Sequence, residues 1–265
     1  MSDTILRIII ILATVCYAAA FVLYLLKKTK PGAAFWILAE AGSVTLVVNN
    51  FVVNDYVPFV SMYQVLTFAS ALFGAVYLYM AFLRDGKWAA PYVIGCSLIV
   101  SMGLCFMDIH SVWHFPPALR SVYFVPHILM YVISYIMAAA AFAMTVTKFF
   151  VRNDPLRKKQ LDGGIYDCVC VLFPFMTAAM LCGAVWANEV WGAFWSWDLK
   201  ECWALVTWLI FMTWLHFRRS PKLSKYCTIL LIFGILLILG FASVIVTFFF
   251  VNMMNAAGTS LHTYN

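Results

Sequence analysis

Trp191-Gly192-Ala193-Phe194-Trp195-Ser196-Trp197-Asp198-Leu199-Lys200-Glu201-Cys202-Trp203 runs directly into the apolar segment 204–215. Its thirteen residues hold four tryptophans and a phenylalanine, with Asp198, Lys200 and Glu201 set among them. Indole is large and flat, and its single N–H seeks a polar or wet neighbour, so tryptophan anchors membrane-crossing helices at the bilayer surface. Anchoring needs one or two tryptophans per helix end and no acids between them. A dense aromatic floor carrying a few fixed charges suits a flat, greasy, partly polar ligand.

The whole chain has the same apolar character. It is 65% hydrophobic and 11% charged over 265 residues, with a mean hydropathy of +0.93. A water-soluble domain has no interior large enough for that much apolar surface, so this is an integral membrane protein. Apolar runs of 18 or more residues indicate helices and exclude a β-barrel. The net charge of +6 sits in short clusters between these runs and forms no phosphate-binding face, so no nucleic-acid partner is expected. The eight cysteines lie in or beside apolar segments, where cysteine acts as a small hydrophobe. They show neither disulfide-framework nor zinc spacing, and Cys168-x-Cys170 is too tight for the usual redox or zinc pair. The first apolar run has its positive charges after it, unlike a cleaved signal peptide.

About eight spans are expected, at residues 5–26, 33–53, 61–83, 88–107, 121–150, 167–186, 201–217 and 226–253, in one polytopic membrane domain over 1–265. All lysines and arginines except Arg7, Arg120 and Lys200 fall at the first, third, fifth and seventh connections, counting Lys148 at the inner end of the fifth span. By the positive-inside rule these connections are cytoplasmic. Both termini, the His110/His114 loop, the tryptophan-rich stretch and the His262 tail then face outward. The compartment expected is a bacterial cytoplasmic (inner) membrane.

Five histidines are present. His127 lies about two turns into the fifth span from its outer end, and His262 lies on the outer tail. Two neutral imidazoles from different helices form a common axial pair for haem iron; each alone also reads as a solvated interfacial histidine. His216 lies 15 residues beyond Glu201, about 22 Å deeper and within about 60° of the same helix face. It is either an interfacial residue beside Arg218 and Arg219 or a ligand at an inner haem site whose second ligand comes from another polypeptide. His110 and His114 read as solvated, because Pro116 and Pro117 oppose a continuing helix. Asp198 is expected to cap the seventh helix with Glu201 at its third position. Lys200 and Arg120 are outer cations suited to a propionate.

The string WGAFWSWDLKECWALVTWLIFMTWLHFR, residues 191–218, resembles the tryptophan-rich (WWD) signature of cytochrome c assembly proteins. Within that family it is similar to the CcsA-type haem-handling subunit of the system II cytochrome c synthase. PPALRSVYFVPHILMYVISY resembles the segment of the family's first outer histidine, which falls on His127. VNMMNAAGTSLHTYN resembles the C-terminal segment carrying the second, on His262, and TWLHFR places the membrane-embedded histidine on His216. PFVSMYQVLTF resembles a further family motif near the third span, so the likeness covers about residues 58–265. Leu199 stands where many members have proline, and Gln64 where many have glutamate.

The resemblance implies that haem b is bound as a substrate and moved outward, from a site using His216 to one where His127 and His262 hold the iron. Trp191, Gly192, Phe194, Trp195, Trp197, Asp198, Lys200, Trp203 and Arg120 would hold the porphyrin, whose vinyl groups then meet a CXXCH apocytochrome c. Asp198 and Glu201 are the candidates for a general acid. The implied partners are a synthase subunit with an extracytoplasmic domain, the apocytochrome, a thiol-reducing thioredoxin-like protein and the lipid bilayer. The alternatives are a haem carrier that presents haem to a separate chaperone, a non-haem multi-helix transporter, and a dihaem cytochrome b. The transporter expects broken helices and mid-membrane charges, which are sparse, and the cytochrome expects histidine pairs within spans.

Overall fold

The computed structural model describes residues 1–54, 56–83, 86–109, 116–220 and 227–250, apart from the side chains at 83, 227–230 and 250. Among these residues there are eight long helices and no strand: α1 (Asp3–Leu25), α2 (Thr29–Val53), α3 (Met62–Leu83), α4 (Ala90–Leu104), α5 (Phe124–Phe150), α6 (Pro155–Trp191), α7 (Leu199–Arg219) and α8 (Cys227–Ile245). The chain is therefore an all-helical, multi-pass membrane protein. Seven of these elements are long and apolar enough to cross a bilayer, the fourth crossing including the 3-10 turn Lys87–Ala89 before α4. Helix α7, counted above as a span, is not among the seven. Its length of 21 residues suffices, but Lys200, Glu201, Arg218 and Arg219 load both its ends with charge.

The sixth element departs most from expectation. The basic stretch after Phe150 was read as a connection, yet it supplies the first turns of α6. The cause is local: the side chain of Asp154 accepts from the backbone N–H of Arg157 at 2.8 Å, and Pro155 opens the helix. An N-cap acceptor followed by proline satisfies an orphan donor and presets φ. At its other end Gly192 takes φ +77°, a left-handed stop that suits glycine. The expected span 167–186 thus grows to 37 residues.

The helices fall into two compact units, residues Met1–Phe115 and Pro116–Asn265. In the first unit α1 packs on α2 and α4, and α3 on α2 and α4. Buried hydroxyls stitch this unit: Thr14 to Ser101 at 2.6 Å, and Tyr17 to Ser43 to Ser70 at 3.0 Å each. Gln64 Oε1 accepts from the backbone N–H groups of Val60 and Ser61, tying down the entry to α3. In the second unit α5 and α6 form the main pair, with α8 on α5 and α7 between α6 and α8. Ser134 of α5 donates to the Leu172 carbonyl of α6 at 3.2 Å, and Phe142 stacks on Phe241 of α8 at 4.6 Å. Phe173 meets Trp208 across α6 and α7 at 5.3 Å. Leu12, Ile99, Leu181 and Leu239 stay exposed, as lipid-facing residues do. None of the seven cysteines with described side chains forms a disulfide.

Candidate functional site

His127 sits in the first turn of α5, one turn nearer the helix start than the sequence suggests, because α5 begins at Phe124. Its Nδ1 lies 2.9 Å from the carbonyl oxygen of Ala179 on α6. A carbonyl only accepts, so Nδ1 carries the proton and the neutral ring has its lone pair on Nε2. A carbonyl behind the ring fixes its orientation. The ring is seated between aromatics: Tyr131 edge-on at 5.0 Å and Trp186 at 5.6 Å. Trp186 in turn meets Phe124 at 5.4 Å and Trp191 at 5.1 Å, and its Nε1 donates to the Ala118 carbonyl at 2.8 Å.

One glycine makes this seat possible. A Cβ on Gly183 would lie 2.5 Å from both Cε1 and Nδ1 of His127. Real atoms do not approach so closely, and the ring cannot back away without losing Ala179. Gly183, Trp186, Ala179 and Tyr131 were missed in the sequence. Two signals were available: Ala179-x3-Gly183, a small-residue pair on one face of α6, and His127–Tyr131 at the i, i+4 spacing on α5.

The tryptophan-rich stretch leaves α6 at Gly192 and enters α7 through a capping box. Asp198 accepts from the Lys200 N–H at 2.8 Å, and Glu201 Oε2 reaches back to the Asp198 N–H at 3.2 Å. The same Glu201 oxygen accepts from the Ser196 N–H at 2.8 Å and the Ser196 hydroxyl at 3.2 Å. One carboxylate oxygen therefore grips the backbone on both sides of Trp197, which holds a left-handed φ of +60°. For a bulky residue this conformation is costly and persists only where its neighbours impose it. The clamp turns the Trp197 indole outward, 69% exposed, with Phe194 exposed beside it in the loop. Trp195 meets Trp197 edge-on at 5.8 Å, and the buried Trp195 Nε1 has no acceptor among the described residues. Trp203 is half-buried in the first turn of α7, and Arg120 is exposed just ahead of α5. Burial pushes the Lys200 ammonium down to about 8, with the Asp198 charge opposing that shift.

His216 occupies the last turn of α7, at the end of the helix opposite Asp198, with its ring exposed. Its Nδ1 lies 3.0 Å from the Met212 carbonyl, which selects the same tautomer as in His127. The structure thus brings His127 together with Trp186 and Trp191, and joins Asp198, Lys200 and Glu201 in one cap. It holds His216 apart from them at the far end of α7. His262, His110 and His114 lie outside the described residues.

Residues 59–257 match the family model described as cytochrome C assembly protein, and this chain is a member of that family. It is similar to the cytochrome c biogenesis protein CcsA of Nicotiana tomentosiformis, 26% identical over 83% of this chain and 80% of the relative. The protein of the same name from Solanum bulbocastanum is 25% identical over the whole chain and 94% of its own length. That of Lactuca sativa is 26% identical over 83% of this chain and 81% of its own. A role in cytochrome c maturation follows from this membership.

Proposed function

We propose that this chain is the haem-handling membrane subunit of a cytochrome c synthase, and that its two units work as one membrane domain. The observation that carries the reading is the His127 imidazole, held through Nδ1 by the Ala179 carbonyl and packed on Trp186, which in turn meets Trp191. Haem b is the substrate. His127 and His262 are its outer axial ligands, and His216, with a ligand from the partner subunit, holds it at the inner end of α7. Trp191, Trp195, Trp197, Phe194 and Trp203 supply porphyrin surface, Gly192 the turn between them, and Lys200 and Arg120 the charge for propionates. The orphaned Trp195 N–H fits an acceptor on such a ligand.

Thioether formation adds a cysteine thiol across a vinyl double bond, so no leaving group has to be expelled. Catalysis is then mainly the alignment of two reactants, a source of several kcal/mol. Asp198 and Glu201 serve that alignment by fixing the loop, and each remains a candidate proton donor to the vinyl carbon. Under the positive-inside rule the basic connections support an attachment face away from the cytoplasm, and the membrane in this reading is a bacterial cytoplasmic one. The partners are a synthase subunit with an extracytoplasmic domain, the CXXCH apocytochrome and a thioredoxin-like thiol reductant.

The test is maturation of a c-type cytochrome in a strain lacking its own synthase, with this chain and its partner subunit co-expressed. Covalent haem on the apocytochrome, together with haem in the purified complex, is the expected result. Haem in the complex without covalent product supports the carrier alternative, and no haem at all overturns both.

Lys200 gives a pH signature. Its ammonium is charged below about 8 and neutral above it, so propionate attraction is present at low pH and lost as pH rises. Haem affinity of the purified complex, followed by absorbance, is expected to fall roughly tenfold across that range. Lys200→Arg flattens the profile, because a guanidinium stays charged. A wild-type profile that is already flat removes Lys200 from the site.

A further inference from the structure

Glu40 stands near the middle of α2, about 16 Å along the helix from Thr29, in a segment apolar enough to cross the membrane. An ionisable residue at such a depth is rare and demands an explanation. The side chain lies against Tyr17 of α1 and Trp36, one turn earlier on α2. From α3, Gly74 makes its room: a Cβ there would lie 2.6 Å from Glu40 Oε2. Tyr17, fully buried, continues to Ser43 and then to the buried Ser70, at 3.0 Å per step. Glu40 Oε1 is buried with no hydrogen-bond partner among the described residues.

The titratable groups packed into this cluster are Tyr17, Tyr24 and Cys16 from α1 and Tyr77 from α3, while α4 presents Ala90, Ile94 and Leu98. None of them is a cation. With no counter-charge beside it among the described residues, an ionised carboxylate here would be far more costly than a neutral acid. A bound metal ion is a poor alternative, because the neighbouring indole is a donor only. Each hydroxyl in the chain Tyr17–Ser43–Ser70 both donates and accepts, so together they can relay a proton.

We propose that Glu40, with Tyr17, Ser43 and Ser70, forms a proton-exchanging site within the membrane. The site rests on residues of the first unit alone and is independent of the haem reading. Infrared spectroscopy of the purified full-length protein in lipid, at neutral pH, tests it. The wild type is expected to show the carbonyl stretch of a protonated carboxylic acid, and the band is expected to shift in heavy water and vanish in Glu40→Gln. Tyr17→Phe keeps the band but moves its frequency, because a hydrogen-bond partner is gone. A spectrum in which Glu40→Gln removes no acid band overturns the proposal, as does a band that ignores heavy water. If Glu40→Gln does not fold, Tyr17→Phe decides: an acid band at the wild-type frequency refutes the site.

Discussion

Replacing His127 by glycine is expected to lower haem retention by about a hundredfold or more, and added imidazole is expected to restore it. The magnitude follows from metal sites in general. Losing a residue that merely orients a ligand costs about 10–100-fold, so losing the ligand costs no less. Imidazole refills the space the ring leaves beside Trp186 and Tyr131 and brings its own Nε2. The backbone penalty of glycine in a helix is only about 1 kcal/mol, so the fold should survive. The measurement is the haem absorbance of the purified complex, with and without imidazole, at matched protein yield. Unchanged haem in the variant would make His127 a bystander. Loss that imidazole cannot repair would make it structural.

Gly183→Ala is the sharper experiment, because it replaces no proposed ligand. Its methyl group would intrude on Cε1 and Nδ1 of His127 and force the ring off the Ala179 carbonyl. Haem retention is expected to drop by about 10–100-fold, the range for an orienting contact. Stability should move little: alanine gains about 1 kcal/mol over glycine in a helix, against about 1–3 kcal/mol for overpacking. The informative readout is therefore the iron spectrum, which should change from that of two imidazoles, beside a nearly unchanged thermal midpoint. A normal spectrum in Gly183→Ala would show that the ring is not held where iron needs it.

These two residues also mark what the sequence discloses. His127 stood out because a histidine near one end of an apolar run is conspicuous. Gly183 was not, since its role exists only once α5 and α6 are paired in register. The same holds for Trp186, which reads as an ordinary interfacial anchor until it is found against His127 and Trp191. The capping box was readable in advance, because Asp198 and Glu201 stand three residues apart ahead of an apolar run. The grip of Glu201 on Ser196 was not, as it depends on the left-handed turn at Trp197. Helix α7 falls short of the seven candidate crossings through the charges at its ends, whereas the positions of those seven followed from apolar length alone. The start of α6 did not, because five charged residues in 152–159 outweighed the Asp154-Pro155 signal. Glu40 was passed over for the opposite reason: one acid hardly lowers the hydropathy of its surroundings.

The length of α6 sets a scale for the molecule. Thirty-seven residues make a rod of about 55 Å, whereas a bilayer with both headgroup layers is about 40–45 Å thick. Such a helix is longer than the lipid is thick, and Pro174 inside it is the point where it can bend. Trp186 and Trp191 ride on one end and the basic turns on the other, so one continuous helix is long enough to carry the aromatic and the basic groups to opposite faces of the membrane.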